Sequence, residues 1–333
     1  ASSVAANGSG KGFTMDWGNI LSQAITQGLG VLAVIYALAA IGLNVQFGYT
    51  GLLNFGQAGF LAVAAYGFAV SIVMLNFPLV LGLLMGILAA VVLGLILGIP
   101  TLRLRADYLA IVTIAAAEII RLLVRSVTLR EVFGGSDGIN NFADDFYSLS
   151  PYDSGLQAGP IDLSQNDLWV VTVGWILVAL SCLLVWLLMR SPWGRVIKAI
   201  REDEEAVRSL GKNVYFYKIQ ALILGGVLGA LGGFIFALGS QSVQPDNYST
   251  DLTFFAYAVL VLGGAGRVMG PVLGAVVFWF LLVFIDGALA GAVQSGTIDF
   301  IRTDQVGQVR YWILGLSLML LMIYRPQGIL GDK

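Results

Sequence analysis

The sequence predicts an all-α, polytopic membrane protein of about eight transmembrane spans, one or two of them interrupted. Three observations carry this. Hydrophobic residues make up 58% of the 333 and charged residues only 11%, against roughly a quarter charged in soluble domains. Mean hydropathy is +0.85. Apolar runs approaching the ~20 residues that cross a bilayer recur along the whole chain, and a soluble core buries one or two such helices at most.

Residues 1–14 (ASSVAANGSGKGFT) are small and polar and lack the basic start and apolar middle of a signal peptide, so a disordered tail or expression remnant is expected. Gly10-Lys11-Gly12 has neither the spacing nor the hydroxyl residue of a phosphate loop. From Met15, the residues Trp17, Ile20, Leu21, Ala24 and Ile25 repeat at helical spacing and predict a short interfacial helix closing the terminal segment 1–27. Spans are then expected over 28–46, 52–74, 78–98, 107–125, 168–189, 216–239, 254–288 (interrupted) and 310–324, within one transmembrane domain, 28–330, followed by a tail, 331–333.

Orientation follows from the basic residues. The loops 99–106 and 190–215, the break at 263–267 and the tail after 325 fall on one side. They hold Arg103, Arg105, Arg190, Arg195, Lys198, Arg201, Arg208, Lys212, Arg267, Arg325 and Lys333. The other side has Lys11, Arg130, Arg302 and Arg310, with acid concentrated in the loop 127–167: Glu131, Asp137, Asp144, Asp145, Asp153, Asp162 and Asp167. The first side is expected in the cytoplasm, which puts the N-terminus and the 127–167 loop outside, in a cytoplasmic (inner) membrane. Cys182 is the single cysteine and sits in an apolar run, so no internal disulfide forms and it reads as a packing residue. The absence of histidine rules out His-based metal sites, proton relays and catalytic triads, and no catalytic or metal site is expected. A net charge of −2 gives no reason to expect nucleic acid. A lipid bilayer is the first partner.

Residues 190–218 carry 11 of the chain's 38 Asp, Glu, Lys and Arg residues, between two apolar runs. Ser191-Pro192 is a helix start, a capping hydroxyl before a proline whose missing N–H costs nothing there. Trp193, Val196, Ile197, Ile200, Val207 and Leu210 predict one apolar stripe, with Lys198, Arg201, Glu202, Glu205 and Arg208 opposite and Gly211 placed to end the helix. Such a helix either lies on headgroups or docks another protein. The run Glu202-Asp203-Glu204-Glu205 suits an anionic membrane surface poorly, and Ala206 and Gly211 let a partner approach closely. A cytoplasmic coupling helix is therefore expected within 191–214.

Glu205-Ala206-x-x-x-x-Gly211 resembles the coupling motif of ABC importer permeases, with Val207 in place of the second alanine and no closing Leu-Pro. SPWGRVIKAIREDEEAVRSLG at 191–211, GYTGLLNFGQAGF at 48–60, PTLRLRADYLAIVT at 100–113, FGGSDGI at 133–139, VLVLGGAGRVMGPVLGA at 259–275 and YRPQGIL at 324–330 resemble the branched-chain amino-acid ABC transporter permeases, in particular the longer subunit type. Urea and short-amide permeases share these motifs. The resemblance implies a permease subunit working by alternating access, with a second permease subunit as heterodimer partner, two cytoplasmic ABC ATPase subunits and an extracytoplasmic substrate-binding protein. It implies that Arg201, Glu202, Glu205, Ala206 and Gly211 meet the ATPase. No Walker phosphate loop is present, so no cofactor is expected on this chain, and ATP and Mg²⁺ belong to the partners. A secondary transporter or channel needing no ATPase is the reading from another class.

Two glycine-rich breaks fall on the same side of the membrane and admit a repeat of the two halves. One is Gly48-Tyr49-Thr50-Gly51 with Asn54, Gly56 and Gln57; the other is Gly263-Gly264-Ala265-Gly266. Small residues serve close helix packing. Alternatively, a broken helix offers its N–H groups to a substrate carboxylate, with Gly51, Gly56, Gly264 and Gly266 at the breaks. Asn54 and Gln57, three apart, are the expected polar groups of the pathway. Glu118, Arg121 and Arg125 share a face of the fourth span, where Glu118 and Arg121 predict an intramembrane ion pair. The 127–167 loop is too long for an idle connection and is expected to receive a binding protein or to cap a neighbouring permease.

Overall fold

The computed structural model describes residues 17–102, 106–158, 161–295, 305–325 and 327–331. The expected tail 1–14, Met15, Arg103, Arg105, Arg302, Pro326 of the C-terminal motif and Lys333 lie outside the described residues.

Among the described residues the chain is a helical bundle with short strands only in its loops. Helices α1 (Trp17–Leu29) and α2 (Val31–Leu43) meet at Gly30 and continue through a π-helical turn, Asn44–Tyr49. Next come α3 (Gln57–Val73), α4 (Leu79–Thr101) and α5 (Ala106–Arg125). The long loop holds α6 (Arg130–Phe133), β1 (Ile139–Asn140), α7 (Asp144–Ser148), β2 (Leu156–Ala158) and β3 (Ile161–Leu163). Then follow α8 (Gln165–Arg190), α9 (Pro192–Glu202), α10 (Glu204–Ser209) and α11 (Val214–Ser240). The chain closes with β4 (Ser242–Val243), α12 (Thr250–Gly263), α13 (Gly270–Gln294) and α14 (Val306–Tyr324). Six helical stretches among the described residues are long and apolar enough to cross a membrane, beside the shorter apolar helices α3 and α12.

α2 is apolar on every side, and each residue from Ala33 to Leu43 is buried, as expected of a helix enclosed by others. It packs on α8, α11, α12 and α13. α1, the helix expected at the interface, stacks along α13, with Ile20 over Gly287 and Gly28 facing Phe280. α4 shows how sequence spacing sets packing. Gly82, Gly86, Ala90, Gly94 and Gly98 recur every four residues and are buried, the glycines meeting Phe68, Ile72, Phe234, Ile223 and Leu222. Val80, Leu84, Leu88 and Ile96 point outward. Small residues on one face admit α3 and α11 closely, and large apolar ones on the other suit lipid.

The apolar run expected as one interrupted span, 254–288, is two antiparallel helices. Gly263 lies against Gly270 and Gly274 against the Val259 carbonyl, so α12 and α13 touch at backbone level. The turn between them needs Gly264 (φ +110°) and Gly266 (φ +80°), values that side chains with a Cβ rarely adopt. The segment 327–331 returns to this turn, where Ile329 N donates to Leu262 O (2.9 Å) and Leu330 N to Gly263 O (3.1 Å). Two C-terminal carbonyls of α12 are thereby paired.

The 127–167 loop is folded. β1 pairs antiparallel with β4, and β2 with β3. Phe142 packs edge-on against Phe68 (5.7 Å), and Phe146 stacks on Trp169 (5.6 Å). Tyr147 Oη donates to Leu238 O (2.7 Å). Aromatic residues spaced through the loop thus fasten it over the ends of α3, α8 and α11.

Candidate functional site

The expected second span starts five residues late, because residues 51–56 are not helical. An unwound backbone inside a bundle survives only if its polar groups are paired within the protein. Here they are. Leu52 N donates to Gln46 O (2.8 Å), Phe55 N to Thr113 Oγ1 (3.0 Å), Gly56 N to Asn54 Oδ1 (2.9 Å) and Ala58 N to Thr253 Oγ1 (2.9 Å). Tyr257 Oη donates to Asn54 O (2.9 Å).

The amide side chains form a second layer. Asn54 Nδ2 donates to Gln46 Oε1 (2.9 Å) and to Gln57 Oε1 (3.2 Å). Gln46 Nε2 donates to Leu222 O (2.9 Å) and Gln57 Nε2 to Gly225 O (3.2 Å). α11 makes room for both glutamines: a Cβ on Gly229 would sit 1.8 Å from Gln57 Nε2, and one on Gly225 2.5 Å from Gln46 Cγ. Gln46, Asn54, Gln57, Thr113 and Thr253 are each 0% exposed. The expected pathway residues Asn54 and Gln57 are thus sealed inside the bundle in this conformation. The N–H groups at the start of α3, expected to face a substrate, are bonded by Asn54, Thr113 and Thr253. Gly56 is buried with them, its Cβ position 2.5 Å from Thr113 O, while Gly51 opens to the surface.

Gly264 and Gly266 belong to the α12–α13 turn, which the π-helical turn grips through Asn44. Asn44 Nδ2 donates to Arg267 O (2.7 Å) and Asn44 Oδ1 accepts from Gly266 N (2.8 Å). Both glycine breaks therefore meet at one place. Arg201 of α9 reaches the same place, its Nη1 donating to Gly48 O, with the Cβ position of Gly266 3.3 Å away. A cation at the carbonyl end of a helical turn is favourably placed.

The charged segment differs from the single expected helix. Ser191 caps α9 as anticipated, accepting from Gly194 N (3.4 Å). At Asp203 the backbone becomes extended (φ −153°, ψ 101°), and its carboxylate caps α10 by accepting from Ala206 N. Ile200 and Val207 still share an apolar patch, with Val214. Leu210, expected on that stripe, is 80% exposed, because the break at Asp203 turns α10 off the register of α9. Glu202, Glu205 and Ala206 are exposed. Gly211 ends the segment at φ +75° with nothing within 4 Å of its Cβ position. Arg208 pairs with Glu204 (2.9 Å), as does Lys218. A cavity of about 800 Å³ separates this segment from the unwound one, lined by Gly51, Leu52, Arg201, Glu204, Arg208 and Lys218 among others.

At the opposite end Arg121 binds Glu118 (2.6 Å) and also Asp246 (2.8 Å), which Arg125 joins at 3.3 Å. The pair is part of a four-residue cluster tying α5 to the turn Pro245–Tyr248. In that turn, burial pushes the Tyr248 phenol well above its ordinary range, and its hydroxyl bonds Gly233 O (3.5 Å). Among the described residues no three acidic or thiol groups are placed to hold a metal ion.

Sequence reasoning passed over Asn44, Gln46, Thr113, Thr253 and Asp246. Asn44 and Gln46 carried a usable signal, two amides inside an otherwise apolar run. Asp246 carried none, being 125 residues from Arg121.

The family described as the permease component of branched-chain amino acid transport systems matches residues 25–324. The high-affinity branched-chain amino acid transport system permease protein LivM of Escherichia coli (strain K12) is 33% identical over 330 residues, 94% of this chain and 72% of that protein. The probable branched-chain amino acid transport permease protein LivM of Methanocaldococcus jannaschii is 27% identical over 337 residues, 90% of this chain and 91% of its own. The autoinducer 2 import system permease protein LsrC of Salmonella typhi is 34% identical over 142 residues, 40% of each chain. With the match running across nearly the whole helical bundle, this chain belongs to the branched-chain amino acid transport permease family and is a multi-pass membrane permease subunit.

Proposed function

We propose that this permease imports a branched-chain or related neutral amino acid by alternating access, driven by two ATPase subunits on other chains. It pairs with a second permease subunit in the inner membrane and receives substrate from an extracytoplasmic binding protein. Family membership supports the transport role, and the basic residues at the α9–α10 end support a cytoplasmic placement of that end, with the folded 127–167 loop outside. In this reading the loop receives the binding protein.

One observation carries the mechanism: Arg201, on the exposed charged segment, holds the Gly48 carbonyl at the junction of both glycine breaks. Closure of the ATPases moves α9 and α10 through Glu202, Glu205, Ala206 and Gly211. Arg201 passes that displacement to Gly48 and Gly266, and the unwound segment shifts. Asn54 and Gln57 then exchange their bonds to Gln46 and Gly225 for bonds to substrate. An amide side chain offers both a donor for a carboxylate and an acceptor for an ammonium. The aromatic group of Phe47, Phe55 and Tyr257, with ring centroids 4.8–5.7 Å apart, supplies apolar surface beside them. Gly51 and the charged cavity form the exit.

A second reading, an uncharged amide such as urea as cargo, is favoured by the amide-only character of the buried layer, which contains no ionised group. The partial likeness to LsrC, named for autoinducer 2 import, supports a family in which cargo varies. Uptake of labelled leucine by cells expressing the full operon separates them. Excess unlabelled leucine or isoleucine abolishes the signal and urea leaves it unchanged on the first reading; absence of leucine uptake, with labelled urea taken up instead, supports the second. Purification tests the energy source. An ATPase subunit co-purifies, and deleting residues 202–211 removes both that subunit and uptake. Retention of uptake after the deletion overturns the ATPase coupling.

A further inference from the structure

A second cavity, of about 470 Å³, also borders α9. Arg190 at the end of α8, Lys198 on α9 and Arg267 in the α12–α13 turn line it, with Tyr49, Trp186 and Met269. Among its described lining residues there is no carboxylate. This sets it apart from the larger cavity, where Glu204 and Glu205 stand among the cations.

Its mouth faces the apolar surface of the bundle. Leu183, Trp186, Leu187 and Arg190 recur at three and four residues, so they share a face of α8. Leu183 is 51% exposed, Leu187 53% and Met269 55%. The Arg190 guanidinium lies over the Trp186 ring at 3.9 Å, and the Lys198 ammonium stands 5.7 Å from the Tyr49 ring centroid. A tryptophan beside a cation, at the end of a row of exposed leucines, marks the level where hydrocarbon gives way to headgroups. A solute-binding pocket has no use for a leucine ridge leading out of it, whereas a two-part amphiphile matches it throughout.

We infer that this cavity binds an anionic phospholipid, its phosphodiester among Arg190, Lys198 and Arg267 and its acyl chain along Leu187 and Leu183. Basic pockets between spans at the cytoplasmic level take such headgroups. The lipid bridges α8, α9 and the α12–α13 turn. It therefore ties α9 to the turn that carries Gly266, one helical turn from Arg201. The inference rests on the chain being a membrane protein and not on the nature of its cargo or motor.

Native mass spectrometry of the full chain in detergent tests it, with phosphatidylglycerol and phosphatidylcholine supplied at equal concentration. Phosphatidylglycerol is expected to be retained about 100-fold more than phosphatidylcholine, each of the three cations contributing about fivefold. The triple variant Arg190→Gln/Lys198→Gln/Arg267→Gln loses the preference. The single variant Lys198→Gln, less disruptive of the fold, weakens it about fivefold. Arg195→Gln/Lys212→Gln, which removes two positive charges outside the cavity, keeps it. Unchanged preference in Lys198→Gln and in the triple variant overturns the site. Equal loss in the control variant overturns it as well, because charge alone then suffices. Full displacement of the lipid by excess inorganic phosphate would assign the cavity to a soluble phosphate instead.

Discussion

Asn54 is the residue on which the buried layer turns. Its side chain donates twice and accepts once, and its carbonyl receives the Tyr257 hydroxyl. Replacement by alanine strands Gln46 Oε1 and Gly56 N in a dry interior, at about 1–3 kcal/mol for each unsatisfied group. Asn54→Ala is expected to lower the thermal unfolding midpoint in detergent, whereas Leu88→Ala on the lipid face leaves it within the error of the scan. Gly229→Ala tests the same layer from α11, since its Cβ would collide with Gln57 Nε2. The expected outcome is lost uptake with the protein still inserted and monodisperse. Arg201 tests the link to the charged segment. Arg201→Gln removes a charge-assisted bond, worth about 1.5–3 kcal/mol. Basal ATPase activity of the reconstituted complex is expected to persist while its stimulation by substrate-loaded binding protein falls at least ~10-fold. Arg201→Lys restores part of it.

At the scale of elements, helices were legible where periodicity was strong. The four-residue repeat of small side chains in α4 and the Ser-Pro start of α9 can be read directly from the letters. The division of the charged segment into α9 and α10 could have been read too, because Asp203 is followed three residues later by the Ala206 N–H it caps. The continuous apolar stripe around it hid the signal. The unwound segment was misjudged for another reason. Its stability comes from Thr113 and Thr253, 58 and 195 residues from their partners, and no local pattern encodes a bond of that range. Asp203→Ala removes the α10 cap, at about 1 kcal/mol. Amide hydrogen exchange is expected to rise over residues 204–209 while α9 keeps its protection.

For the molecule as a whole, composition alone identified a polytopic helical membrane protein, and motif resemblance indicated the family that the relatives then established. The candidate site was half legible. Asn54, Gln57, Gly51, Gly264 and Gly266 were singled out, but the joining of the two breaks through Asn44 belongs to tertiary structure. The proposed orientation has a direct test. Cys182, the one natural cysteine, is buried, so single cysteines can be added to the native background. In spheroplasts Asp137→Cys is expected to react with a membrane-impermeant maleimide, and Ser209→Cys only after the membrane is opened. The opposite pattern inverts the molecule.

The return of residues 327–331 to the end of α12 bears on biogenesis. These residues leave the ribosome after α14, so the Leu262 and Gly263 carbonyls stay unpaired until synthesis has passed that helix. The seat that holds Gly266 beside Arg201 is therefore finished late, when α1 to α14 are already available to the membrane. A chain truncated just after α14 would insert fully and still lack that seat, leaving membrane quality-control proteases a local mark by which to tell finished permease from unfinished.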